Sequence, residues 1–152
     1  DILRGVENEA RDTADRVLSS ARREQRRTVL SARQEIIREV IEAAEQYLYG
    51  LSDDDYFKVL IGLAAKRAMP QKGEMVLGAR DISRVPPDFE EKLRAALPQG
   101  AELSVKETPD PSVEGGFILV YGGIEENCTF RALFGDRREQ LQDLANKILF
   151  AE

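Results

Sequence analysis

The chain has 152 residues, 33 % of them charged, with 28 acidic against 22 basic side chains (net −6), 7 % aromatics, no Trp and no His. That length allows one ordinary domain or a small domain with an appendage, and the missing His removes the commonest general base and metal ligand. The lone Cys128 excludes an internal disulfide and any multi-thiolate metal site, and the acidic balance argues against a protein given over to nucleic acid.

From Ile2 to Tyr49 there is no Pro, and the only internal Gly is Gly5. One continuous helix is predicted, roughly 70 Å long at about 1.5 Å per residue. Asp1 already lies in the helical pattern, so sequence upstream of it is expected, and neither a signal peptide nor an apolar run of membrane-spanning length is visible. Ala10, Ala21, Ala32 and Ala43 recur every 11 residues, as do Leu18, Val29, Val40 and Leu51. A third track runs through Leu3, Ala14, Ile36 and Tyr47, interrupted by Gln25. An 11-residue period corresponds to about 3.67 residues per turn and a right-handed supercoil. Leu3, Ala10, Ala14, Leu18, Ala21, Val29, Ala32, Ile36, Val40 and Ala43 are therefore the candidate interface for a partner helix. Small Ala allows close approach of two backbones, and a rod so poor in large aliphatics needs that partner.

Nine Arg and ten acids fall within residues 1–50. The run "RREQRR" at residues 22–27, with Arg33 and Arg38, suits either a phosphate-binding patch or a solvated face. The interleaved Glu24, Glu35, Glu39 and Glu42, with no aromatic among the arginines, favour the solvated face.

Gly50 can end or loosen the rod. Ser52 or Asp53 is a candidate N-cap for a helix with Tyr56, Leu60, Leu63 and Ala64 on its apolar face, stopped by Pro70 and Gly73. Asp53, Asp54 and Asp55 suit the positive end of that helix better than a metal cage. Beyond Gly73 a strand is predicted over residues 74–80 and a helix over 86–97, entered through Pro87, with Phe89, Leu93 and Leu97 inward. A second strand is predicted over 101–107, and 109–115 reads as a loop.

"GGFILVYGGIEENCTF" at residues 115–130 poses a choice between a phosphate loop and a strand with its turn. The spacing of a P-loop or a dinucleotide loop is missing, and Glu125 and Glu126 would repel a phosphate. Phe117 to Tyr121 is a central strand, Gly122-Gly123 a two-residue hairpin loop with positive φ at both positions, and Ile124 to Cys128 the returning strand. Thr129 can cap the last segment, where Phe130, Phe134, Leu141, Leu144, Ala145 and Ile148 form an apolar face. Asp136 and Glu139 have capping-box spacing, and Gly135 can interrupt the helix. The expected fold class is α+β. Residues 1–50 form a long coiled-coil helix, and residues 51–152 a small globular head with a mixed, mostly antiparallel sheet of about four strands packed by helices.

The ordered set Gly115, Gly116, Ile124, Asn127, Thr129, Phe130, Arg138, Glu139, Leu141, Ile148, Leu149 and Phe150 resembles the C-terminal signature of the E subunit of the V-type and archaeal-type (A-type) rotary ATPases. The Ala- and Arg-rich front helix agrees with it, so the resemblance covers the whole chain. In that family the hairpin turn is usually longer and the N-terminal helix extends further upstream. The resemblance implies a peripheral-stalk subunit with no catalytic residue, no cofactor and no metal. It implies a coiled-coil partner, the G (or H) subunit, and a head bound to the B subunit of the catalytic hexamer. A membrane-sector stator subunit would be reached through the missing N-terminal part. It also implies a cytoplasmic place at the membrane surface, without insertion and without nucleic acid. The competing reading is an Arg-rich helical adaptor for nucleic acid or another protein. An enzyme would have to rely on Asp, Glu, Lys, Tyr or Cys128 alone, and Cys128 has no His to activate it.

Overall fold

The structure, a computed structural model, describes residues 1–150. Ten elements follow one another: α1 (Ile2–Tyr49), α2 (Asp53–Arg67), β1 (Lys72–Val76), α3 (Ala79–Ile82), α4 (Phe89–Ala96), β2 (Glu102–Val105), β3 (Gly116–Tyr121), β4 (Ile124–Thr129), α5 (Phe130–Asp136) and α6 (Arg138–Phe150). They fall into two compact units, one of residues 1–40 with the chain end from Ala145, the other of residues 41–144. The α+β class and the four-stranded mixed sheet expected from the sequence are both present.

The second unit is built on a sheet ordered β2-β1-β3-β4. β1 runs parallel to β2, with Lys72 opposite Glu102 and Met75 opposite Val105. The connection between them carries α3 and α4, since parallel neighbours need a crossover. β3 pairs antiparallel with β1 and with β4, in the registers Met75–Leu119 and Leu119–Glu126. Its central place explains the unbroken apolar run. Phe117, Leu119 and Tyr121 are buried, whereas Ile118 and Val120 are half-buried on the other face.

α2 starts where the N-cap logic places it. Ser52 accepts a hydrogen bond from the Asp55 N–H at 3.3 Å, and Asp53, Asp54 and Asp55 fill the first turn. Its buried side chains Tyr56, Phe57, Leu60 and Ala64 meet Met75, Leu77, Phe89, Leu93, Phe117, Leu119, Tyr121, Cys128 and Phe130 in one core. Edge-on ring pairs join Phe57 to Tyr56 at 5.4 Å and to Phe89 at 5.2 Å.

Several boundaries differ from the sequence expectation. The first strand spans Lys72–Val76 rather than 74–80, and the chain turns into α3 immediately after Gly78. There the backbone passes so near Val113 that a Cβ would lie 2.0 Å from its carbonyl oxygen. In the hairpin only Gly122 has positive φ (+63°) and Gly123 does not, which is the type II′ pattern rather than type I′. The break between the last helices falls at Arg137 rather than Gly135, so Asp136 ends α5 instead of capping α6. On α6 Ala145 is the buried residue, while Leu144 and Ile148 stay 54 % and 72 % exposed.

Candidate partner-helix interface

α1 runs 48 residues without interruption, and Ile37 is its only buried side chain. Every residue from Asp1 to Ile36 is exposed. The apolar side chains of the predicted stripe thus stand in solvent: Leu3 is 75 %, Leu18 54 %, Val29 47 %, Val40 44 % and Ile36 41 % exposed, and Ala10, Ala14, Ala21, Ala32 and Ala43 lie open beside them. Steps of three and four residues along a helix stay on one face, so these positions form one continuous strip. Val6 and Val17, at 58 % and 61 % exposed, extend the strip along the Ala edge and were missed by the sequence reading, although they too stand 11 residues apart.

A second apolar side of α1 was also missed. Ile37 is buried, and Ile41 and Leu48 are half-buried, four and eleven residues further on the same side. Within the first unit the Arg33 guanidinium lies 5.0 Å from the centre of the Phe150 ring, so Phe150 of α6 meets α1 at that level. Arg38 pairs with Glu35 one turn back, an i, i+3 contact of small energetic weight.

The residues of the C-terminal signature serve different ends. Gly116 has φ +79°, and a Cβ there would fall 2.5 Å from the Cys128 carbonyl oxygen. Asn127 Oδ1 accepts hydrogen bonds from the Thr129 N–H at 3.0 Å and hydroxyl at 2.7 Å, while Thr129 Oγ1 accepts from the Ala132 N–H at 3.2 Å. Asn127 thereby fixes the cap of α5. The Gly115 carbonyl accepts from the Phe130 N–H at 3.1 Å, and the buried Phe130 ring stands edge-on to Tyr49 and Tyr56 at 5.9 and 5.8 Å. This cluster holds the start of β3 against the end of β4. Ile124, by contrast, is 60 % exposed; Arg138 and Glu139 are exposed, Leu141 and Phe150 half-buried, and Ile148 and Leu149 are 72 % and 44 % exposed.

A buried polar network went unnoticed in the sequence because the contacts that join its elements span 25, 31 and 60 residues. The Tyr56 hydroxyl donates to Asp81 Oδ2 at 2.5 Å and accepts from the Gly116 N–H at 3.2 Å. Arg84 donates to Asp81 Oδ1 at 3.0 and 3.3 Å and to Asp53 Oδ1 at 2.7 Å, its guanidinium 4.3 Å above the Tyr56 ring. Burial, and then the hydrogen bond to Asp81, push the Tyr56 phenol well above the ordinary tyrosine range. Every member has its partners, so the network ties α2, α3 and β3 together and offers no reactive group. Among the described residues no three His, Cys, Asp or Glu side chains are placed to hold a metal ion, and no helix is long and apolar enough to cross a membrane.

Residues 2–150 match the family model of the ATP synthase (E/31 kDa) subunit. The chain belongs to that family. It is 30 % identical over 111 residues to the E subunit of the V-type proton ATPase of Thermoanaerobacter pseudethanolicus, covering 72 % of this chain and 56 % of the relative. The E subunit of the V-type ATP synthase of Acetivibrio thermocellus is 30 % identical over 105 residues, 68 % of this chain and 53 % of that one. The E subunit of a V-type proton ATPase of Clostridium botulinum aligns over 150 residues at 25 % identity, with 99 % and 76 % coverage. The chain spans about half the length of the first two of these relatives, 56 % and 53 %.

Proposed function

We propose that the chain is a non-catalytic peripheral-stalk subunit of a V/A-type rotary ATPase, resisting torque during ATP-coupled ion transport. In this reading residues 1–50 are the stalk helix and residues 51–152 the head. The stripe from Leu3 to Ala43 carries the helix of the G (or H) subunit. The head engages the B subunit of the catalytic hexamer, and the subunit is tied to a membrane-sector stator subunit on the cytoplasmic side.

One observation carries the reading: a 48-residue helix whose apolar stripe is exposed along its length. Isolated helices are marginal in water, and most of their stability in proteins comes from a covered apolar face. A covering helix supplies it and yields a two-chain cable of about 70 Å. Such a cable resists stretching while twisting slightly, which is what holding a catalytic head against a rotor demands. The arginines do not favour the adaptor alternative, because acids alternate with them and the chain as a whole is acidic, at net −6.

Replacing Ala21 and Ala32 with Lys places two charges on the seam while leaving helix propensity nearly unchanged. The double variant should no longer co-purify with the G (or H) subunit, whereas the wild-type chain should. Undiminished complex would overturn the seam assignment.

A further inference from the structure

The exposed stripe is not uniformly apolar, and its polar parts are ordered. In the track Leu3, Ala14, Ile36 and Tyr47 the missing member is Gln25, in mid-stripe between Ala21 and Val29 on the i±4 row. Gln25 is exposed, and its carboxamide makes no hydrogen bond to another described residue. A helix laid on the stripe would take this carboxamide out of water, at a cost unless it meets a hydrogen-bonding group.

The two borders of the stripe also differ in charge. Four residues beyond Leu18 and Val29 come Arg22 and Arg33, and Arg11 lies one repeat earlier on the same line, with Arg26 one step further round. Four residues before Ala43 stands Glu39, and Glu35 and Glu24 lie further out on that border. All these side chains are exposed. Flanking charges of this kind select partners in helical pairs, and a single polar seam position sets register at some cost in stability.

Resting on the stalk reading, we propose that the partner helix is selected by polar chemistry. It is a helix of a different chain that sets a hydrogen-bonding side chain against Gln25 and a row of carboxylates against Arg11, Arg22 and Arg26. A second copy of this chain fits less well. Set parallel, it offers Glu24, Glu35 and Glu39 to the later arginines, but on that border only Thr13, Val6 and Val17 near Arg11.

The test uses the full chain with its cognate G (or H) subunit, with affinity measured at about 50 and about 500 mM salt. Arg11→Glu/Arg22→Glu/Arg26→Glu should weaken binding about tenfold or more at low salt, the difference shrinking at high salt. Arg16→Glu/Arg27→Glu reverses two charges on the far side of α1, against three on the flank, and should leave affinity within about twofold. Gln25→Leu should bind as tightly or more tightly, yet let the chain associate with itself, whereas the wild-type chain should sediment as a monomer. Equal affinity of the flank variant and wild type, equal damage from the far-side pair, a dimeric wild-type chain, or no self-association by Gln25→Leu would each overturn the proposal. A wild-type chain that binds no G (or H) subunit at all would remove the stalk reading with it.

Discussion

Cys128 has no exposed surface and faces the core from β4. Burial, and secondarily the nearby Glu126 carboxylate, raise its thiol from the ordinary 9.0 to about 11, opposed by Arg67. The folded chain keeps this proton where the unfolded chain has lost it. Stability linked to Cys128 is therefore complete below about pH 9 and declines as pH rises toward about 11, by roughly 2–3 kcal/mol. Denaturant titrations at pH 8, 9, 10 and 11 should show that decline, and Cys128→Ala should flatten the part due to the thiol; an unchanged slope would assign the loss elsewhere. Tyr56 titrates later and in the same direction, which is why the difference between wild type and variant is the useful quantity. Gly116 is constrained by geometry instead. At φ +79°, with the Cys128 carbonyl in the place of a Cβ, Gly116→Ala should cost at least about 2 kcal/mol and lower the melting temperature by several degrees. A variant melting with wild type would mean that the β3 entry relaxes freely.

The junction of β4 and α5 shows how a short motif becomes an element boundary. Thr129 ends the strand, caps the helix through Ala132, and is itself held by Asn127. Thr129→Ala removes both contacts of the hydroxyl and should cost about 1–2 kcal/mol, whereas Thr129→Ser should recover most of it. Parity of Ala and Ser in thermal melts would deny the cap its role. Elements of this kind were legible because their cause is local. The Ser52 cap, the apolar run of β3 and the unbroken α1 each depend on neighbours within a few residues. The features missed depend on distant ones. Past β1 the chain passes at Gly78 so near Val113 that no side chain fits, and Asp81 is buried because Tyr56 and Arg84 converge on it. Leu144 and Ile148 read as core by helical spacing, yet Ala145 is the side chain α6 buries. Ile37 and Leu48 lie 11 residues apart like the stripe positions, so spacing alone does not distinguish an apolar side covered within the chain from one left open.

At the scale of the whole molecule, the contrast between α1 and the sheet unit predicts uneven stability. Residues 1–36 bury nothing, whereas Tyr56, Leu60 and Ala64 of α2 and Phe117 and Leu119 of β3 are fully enclosed. Amides protected only by their own helical bonds open by local fraying, at a cost well below global unfolding. In native-state hydrogen exchange, amides of residues 5–30 should therefore exchange orders of magnitude faster than those of residues 57–64 and 117–121. Heating should likewise remove part of the helical circular dichroism before the near-ultraviolet signal of the enclosed Tyr56 and Tyr121 is lost, so a single two-state transition is not expected. In the proposed stalk role, adding the G (or H) subunit should slow exchange along residues 5–30 and merge the two thermal steps, because covering the stripe would give α1 the burial it lacks alone. Slow exchange over residues 5–30 in the chain by itself, matching that of β3, would mean that the stripe already has a cover, and the two-chain cable would lose its reason to form.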